Sequence, residues 1–286
     1  MDRSLKYSLA SRAEDFRILH QRPGIFVVPN PWDAGSARML ESLGFKALAT
    51  TSAGLAFSLG KADGRTAVTR EESLQNVQSI IAATTLPVSG DLENGYGDDP
   101  ATCAETVLLA ASAGLAGGSI EDATGRIDDP IYPFELAVER VRAAVEASRN
   151  LPYPFVLTAR AENLINDRPD LNDTIRRLEA FAEAGADVLF APGLKTLDEI
   201  AAVVKAVYPK PVNVLMGLSG VNLSLEKLES AGVKRVSVGS SLIRAAFGAF
   251  FRAAREIKET GTFTFSNTAI SYADMNSLFE GFSQKK

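Results

Sequence analysis

A (β/α)8 TIM barrel carrying an extra C-terminal helix is the fold predicted for this 286-residue chain, and three features predict it. Short β-branched runs alternate with longer helical stretches, the pattern of parallel strands joined by helical crossovers. Eight such units can be counted, enough to close a barrel. Glycine recurs where a helix stops just before a strand, in Leu43-Gly44-Phe45, Ala113-Gly114-Leu115, Ala184-Gly185-Ala186 and Ala231-Gly232-Val233. The alternative is a doubly wound open sheet, which the lack of a G-x-G-x-x-G opening a helix disfavours. With no linker to divide it, the chain reads as one domain over 1–286, its helical extension at about 262–282.

Ile25 to Val28 is the first strand, closed by Pro29-Asn30-Pro31, and Asp33 is placed to cap a helix that runs past Leu40 to Gly44. Phe45 to Thr50 reads as the second strand and enters Thr51-Ser52-Ala53-Gly54, small residues whose amides could face a ligand. A helix from Arg70 to Ala83 leads to the third strand at Pro87, which ends in Asp91-Leu92-Glu93-Asn94-Gly95-Tyr96-Gly97. Pro100 to Ala113 is helical, Ala116 to Ile120 is strand and ends at Glu121-Asp122, and Pro133 to Ser148 is helical. The fifth strand, Pro154 to Ala159, reaches Arg160; helix Leu171 to Ala184 and strand Asp187 to Phe190 follow. Leu197 to Val207, Pro211 to Leu215, Ser224 to Ser230, Arg235 to Val238 and Ser240 to Lys258 complete the alternation. In the tail, Met275, Leu278, Phe279 and Phe282 share one helical face, which either packs on its own barrel or, the sharper expectation, belongs to a helix exchanged with a neighbouring subunit.

Composition narrows the chemistry. A 46 % hydrophobic, 23 % charged chain has ample core, and a net charge of -5 leaves no basic footprint for nucleic acid or an anionic membrane. Met1 to Ala13 is polar and holds no secretory signal, and no apolar run of about 18 residues suggests a membrane span, so the cytoplasm is the expected location. Cys103 is the lone cysteine, which excludes an internal disulfide. His20 is the lone histidine, read as a surface helix residue, so a Ser-His-Asp triad, a Cys-His pair and a multi-histidine zinc site are disfavoured. Carboxylates, arginines, hydroxyls and amides remain, and these oxygen donors suit Mg²⁺ or Mn²⁺.

Alternation along a strand would point Asp91 and Glu93 to one side, about 7 Å apart. Two such acids resist joint ionisation unless a cation lies between them. A divalent metal is one reading of this pair and a solvated acidic turn the other. The strand ends supply company: Thr51 and Ser52 after the second strand, Glu121 and Asp122 after the fourth, Arg160 and Glu162 after the fifth. On a barrel this rim is the functional one, and the set describes a metal among carboxylates, a facing guanidinium and a hydroxyl-and-amide cradle for a small oxyacid dianion. Singly, each has a plain role: Glu121-Asp122 as a cap, Arg160 and Glu162 as an ion pair, Thr51 and Ser52 as strand-end hydrogen bonders.

Asp91 to Gly97, with Ser119-Ile120-Glu121-Asp122, Thr158-Ala159-Arg160 and Thr51-Ser52-Ala53-Gly54 to Asp63-Gly64, resembles the isocitrate lyase and phosphoenolpyruvate mutase superfamily from about Val27 to Phe250. The resemblance implies Mg²⁺ on Asp91, with Glu93, Glu121 and Asp63 reaching it mainly through water. It implies Thr51, Ser52 and Ala53 as the cradle of the substrate carboxylate, Arg160 and Asn213 on substrate oxygens, and a homodimer or homotetramer built through the C-terminal helix. Members that cleave isocitrate or methylisocitrate carry a K-R-C-G-H-like loop after strand four. Here that loop is Ala123 to Pro130, with neither lysine nor cysteine, and it carries Arg126, which joins the substrate-binding set. The mutase loops use lysine and asparagine, also missing from Ala123 to Pro130, and Pro192 stands where relatives carry histidine or glutamate.

The function this implies is a Mg²⁺-dependent lyase that breaks a C–C bond of a small 2-oxo or 2-hydroxy carboxylic acid through a metal-stabilised enolate, with Arg160, Asp63 and Glu121 as catalytic residues. Phosphorus–carbon chemistry on a phosphonate and a metabolite-binding barrel without turnover are the alternatives.

Overall fold

The computed structural model describes residues 8–64 and 67–283, Phe282 and Ser283 by their backbone alone. Eight parallel strands form the sheet: β1 (Phe26–Val28), β2 (Leu48–Ala49), β3 (Val88–Asp91), β4 (Gly117–Glu121), β5 (Val156–Arg160), β6 (Val188–Phe190), β7 (Val212–Leu215) and β8 (Arg235–Ser237), in the order β1-β8-β7-β6-β5-β4-β3-β2. Between β1 and β2 no ladder forms, but the Ala49 amide donates to the Pro29 carbonyl at 3.1 Å and the Asn30 amide side chain to the Thr50 carbonyl at 2.9 Å. These two bonds bring the ends of the sheet together as a nearly closed barrel.

Around it lie α1 (Leu9–Gln21), α2 (Ala34–Ser42), α3 (Ser52–Ser58), α4 (Arg70–Ala83), α5 (Pro100–Ser112), α6 (Phe134–Arg149), α7 (Leu171–Glu183), α8 (Leu197–Val207), α9 (Leu225–Ser230), α10 (Ser241–Thr260) and α11 (Tyr272–Ser283). Local chemistry sets many of their ends. Thr69 with Glu72 and Thr196 with Glu199 form reciprocal capping boxes at the starts of α4 and α8. Gly44, Gly114, Gly185 and Gly232 follow their helices at φ of 85°, 102°, 105° and 84°, a conformation glycine adopts without a Cβ penalty. The second strand is shorter than the run Phe45 to Thr50: pairing begins only where the Leu48 amide meets the Pro87 carbonyl, at 3.0 Å. The small-residue stretch 51–54 is not a loop but the first turn of α3, capped by Thr51.

The largest hydrophobic cluster lies between sheet and helices, with Leu115, Leu157, Leu178, Phe181 and Ile200 fully buried in it. A second cluster closes the end of the barrel where strands begin, formed by Ala13, Phe16 and Leu19 of α1 against Phe26, Ala116, Val156 and Val188. That closeness explains a glycine in β4: a Cβ on Gly117 would lie 2.5 Å from the Val156 carbonyl oxygen and 3.0 Å from the Phe16 ring.

His20 belongs to this plug, which corrects its reading as a surface residue. Its ring meets Phe16 and Phe26 edge to face, and its Nδ1 lies 2.8 Å from the Phe16 carbonyl. A carbonyl only accepts, so Nδ1 carries the proton and Nε2 is left as acceptor toward Arg235 Nη1 at 3.3 Å. Periodicity places a residue on a helix but not the helix on the barrel, and here α1 turns its histidine inward.

In the tail, Met275, Leu278 and Phe279 are half-buried, and Phe279 approaches Gly35 of α2. The Phe282 side chain, expected on the same face, lies outside the described residues. Among the described residues no helix is long and apolar enough to cross a membrane.

Burial, and next the charges of Arg235 and, more weakly, Lys234, push His20 down from 6.5 to about 3, against the raising effect of its Phe16 bond. Between these values the unfolded chain binds the proton and the folded one does not, so stability falls as pH falls through that window. Relative to its His20→Gln variant, the native chain is expected to lose roughly 3 kcal/mol between pH 7 and pH 4. Urea unfolding of both proteins at the two pH values checks this, and parallel pH profiles would refute the buried neutral imidazole.

Candidate active site

Arg160 ends β5 and collects three acids from three segments. Its Nη1 donates to Asp91 Oδ1 at the end of β3 (2.9 Å), its Nη2 pairs with Glu121 Oε2 at the end of β4 (3.2 Å), and its Nε donates to Glu162 Oε1 (2.8 Å). Strand register makes this possible, because Glu121 pairs directly with Arg160 in the β4–β5 ladder. The Phe190 ring of β6 lies 5.2 Å from the guanidinium. Burial favours neutral Arg160, but the charges of Glu162, Glu121 and Asp91 outweigh it and hold the guanidinium well above its ordinary value. Burial raises the carboxyls of Glu121 and Glu162 even so, with Arg160 acting against it. The ion pair of Arg160 with Glu162 is therefore real but is one contact of three.

Asp91 is held from the other side by Ser52, whose amide and hydroxyl donate to Oδ2 at 3.0 and 2.9 Å. The Ser52 amide thus serves an acid of the protein, and Thr51 caps the Gly54 amide at 3.1 Å. Glu93 does not continue the strand: β3 stops at Asp91, Leu92 is buried, and Glu93 turns at φ 47°. Alternation from Asp91 therefore does not apply. This left-handed turn costs backbone energy, and Arg140 braces its loop by donating to the carbonyls of Asn94, Gly97 and Asp98. The Glu93 carboxyl makes no hydrogen bond to a described residue, and burial, then Asp91 and Asp63, push it up to about 7. Asp63, exposed at the mouth, is raised by partial desolvation and by Asp91. Asp122 is a brace: Oδ1 accepts from the Glu162 amide at 2.8 Å and Oδ2 pairs with Arg177 at 3.0 Å.

Two cavities meet here. The inner, about 280 Å³, takes in Thr51, Ser52, Ala53, Asp63, Asp91, Arg160 and Asn213; the outer, about 610 Å³, takes in Glu93, Glu121, Arg126 and Glu162, and Ile165 lines both. Every residue expected at the site thus borders one of the two. Arg126 is not free, since Asp98 accepts from it with both oxygens at 3.0 and 2.9 Å. Asn213 is engaged as well, by Arg235 Nε at 2.8 Å and Ser237 Oγ at 2.9 Å. Sequence reasoning left out Arg235 and Ser237, whose only signal was an arginine and a serine inside an otherwise apolar strand.

Five acids at the rim, Asp63, Asp91, Glu93, Glu121 and Glu162, gather about Arg160, while Arg126 and Arg168 line the outer cavity without an ion pair to any of them. Among the described residues no three histidine, cysteine or acidic groups converge as a direct metal cage. The donor set still fits Mg²⁺, which keeps several waters and takes one or two carboxylates.

The family model for phosphoenolpyruvate phosphomutase matches residues 16–258. A Burkholderia cenocepacia J2315 structure, described as a lyase/mutase, shares 59 % identity over 95 % of this chain and 96 % of its own, with a TM-score of 0.92. The crystal structure of 2,3-dimethylmalate lyase is 27 % identical over 94 % of this chain and 93 % of its own, with a TM-score of 0.83. Among curated proteins, the oxaloacetate decarboxylase of Bradyrhizobium diazoefficiens is 32 % identical, covering 69 % of each chain.

Replacing Arg160 with alanine strands buried carboxylates, an expected loss of about 3–5 kcal/mol at pH 8 without metal. The loss shrinks at pH 5, because burial raises the Glu121 and Glu162 carboxyls and they take up protons as the pH falls. Urea midpoints of both proteins at the two pH values measure this, and a penalty independent of pH would show that Arg160 does not hold ionised acids.

Proposed function

Because the chain belongs to the phosphoenolpyruvate phosphomutase family, we propose that it is a Mg²⁺-dependent lyase breaking a C–C bond to C3 of a small 2-oxo or 2-hydroxy carboxylic acid. The observation that carries this reading is the excess of rim acids over Arg160, at the mouth of a polar cavity in the barrel. The oxaloacetate decarboxylase and 2,3-dimethylmalate lyase to which it is similar support C–C over P–C chemistry.

Asp91 would hold the metal directly, Glu93, Glu121 and Asp63 through water, and Mn²⁺ would substitute. When bound, the ion supplies Lewis-acid polarisation of a substrate oxygen. Thr51, Ser52 and Ala53 at the start of α3 form the cradle of the substrate carboxylate, in which Ser52 acts by tying the turn to Asp91. Arg160 and Asn213 donate to substrate oxygens, stabilising the enolate as charge moves onto them. Glu121, kept protonatable by burial, and Asp63 at the mouth are placed to move protons. Arg126, anchored on Asp98, holds the outer rim through which water protonates the product enolate.

The partner we propose is a second copy of the chain. Helix α10 exposes Phe247, Phe250 and Phe251, and the segment beyond it Phe263, Ile270 and Tyr272, an apolar face that water disfavours. Replacing Phe250 and Phe251 together by glutamate is expected to turn a dimer or tetramer into monomer in sedimentation velocity. A wild-type monomer would remove the proposal.

Activity is tested on oxaloacetate, phosphonopyruvate, methylisocitrate and alkylated malates with Mg²⁺, following release of 2-oxo acid and phosphate. Turnover of a carbon acid is expected, abolished by EDTA and lowered on the order of 10²–10³-fold in Asp91→Ala with its circular dichroism unchanged. Phosphate from phosphonopyruvate would move the reading to P–C cleavage, and binding without turnover across the panel would make the chain a metabolite-binding barrel.

A further inference from the structure

A barrel interior is ordinarily filled by branched apolar side chains. Here the strands turn Ser89, Ser119, Asn213 and Ser237 into the 280 Å³ inner cavity, and Arg235 lines it as well. The Arg235 side chain leaves the first residue of β8, so it sits toward the plugged end of the barrel, away from the rim acids.

Arg235 is 5 % exposed, and each partner it has is neutral. Nε donates to Asn213 Oδ1 (2.8 Å), Nη2 to Thr158 Oγ1 (2.9 Å), and Nη1 faces His20 Nε2 (3.3 Å). No carboxylate pairs with it among the described residues. A guanidinium has five N–H donors, and three are used. Burial lowers its pKa to about 9, which still leaves it charged at neutral pH. A charge taken out of water without a counter-ion is strongly disfavoured, so the fold holds a cation that lacks an anion. His20 cannot neutralise it, because the imidazole is itself uncharged and only accepts. The hydroxyls of Ser89 and Ser119 make no hydrogen bond to another described residue, and they face the same cavity. The rim above carries more acids than cations, whereas the floor is cationic and attracts an anion.

We propose that Arg235 is the floor of an oxyanion subsite that takes a carboxylate of the ligand, with Asn213, Ser237 and Thr158 fixing the guanidinium and His20 supporting it without cancelling its charge. This deepens the lyase reading and rests on it for the statement that the cavity holds substrate. Its consequence is orientation: a diacid would stand with one carboxylate on Arg235 and its reacting end at the rim.

His20 is the chain's lone histidine, so its imidazole ¹⁵N signals form a single resolved set beside Arg235. The probes are malonate, acetate and neutral malonamide, titrated into ¹⁵N-histidine-labelled protein with and without Mg²⁺. Malonate is expected to move the His20 signals saturably and malonamide to leave them still. The Arg235→Gln variant should lose the shift and bind malonate at least tenfold more weakly. Arg235→Lys, which keeps the charge, should retain binding within about tenfold, and its native Nδ1–H signature reports an intact floor should the glutamine variant misfold.

Acetate moving the signals as strongly as malonate would assign the floor to any single carboxylate, and malonate alone to the far end of a diacid; both sustain the subsite. Equal shifts with malonamide, no His20 shift with malonate in either condition, or a malonate affinity unchanged in Arg235→Gln would overturn it. Turnover of a panel acid alongside such a result leaves the lyase reading standing, while binding at Arg235 without turnover sinks the lyase reading alone.

Discussion

The guanidinium of Arg160 is the interaction on which the rim depends. Three acids from separate segments converge within 3.2 Å of it, which they could not do as bare carboxylates in a buried place. Its reach fixes Asp91 from one side while Ser52 fixes it from the other, so the start of α3 and the ends of β3, β4 and β5 are locked to one another. The cluster is nevertheless unbalanced. Glu93 and Asp63 lie beside it without an ion pair to Arg160, and their carboxyls are raised first by burial and then by repulsion from Asp91.

Charge is also separated along the barrel axis. Acids gather where strands end, and a cation with neutral partners lies toward the end where they begin. The apolar plug makes that second pole possible, because Phe16 and Phe26 pack edge to face on His20, whose burial leaves it a neutral acceptor. A small dianion entering such a gradient has one favourable direction.

The loop after β3 shows how the rim is kept rigid. Glu93 and Tyr96 both adopt positive φ, at 47° and 61°, and such turns persist only when surrounding contacts impose them. Arg140 supplies those contacts by gripping three carbonyls of the loop, while Tyr132 and Arg126 meet on Asp98 at its edge. The Ala123–Pro130 segment is thereby fastened to the β3 loop by charge, in place of the lysine and cysteine that a K-R-C-G-H-like loop would bring.

What the amino-acid sequence determined by itself was local or periodic. Helix α4 runs from Arg70 to Ala83 and α8 from Leu197 to Val207, as read, because capping acts over a few residues. The positions of Asp91, Glu93, Glu121 and Arg160 at the rim were legible because each ends a strand or lies just past one, and in a barrel strand ends share one face. Tertiary structure alone decided which charges meet. That Arg160 binds three acids, that Glu93 leaves the strand, and that Arg235 and His20 meet across 215 residues of sequence all follow from register, twist and helix docking. The physical reason is range: propensity and capping are set by neighbours in sequence, whereas neutralising a buried charge depends on groups the chain brings together only when the barrel closes.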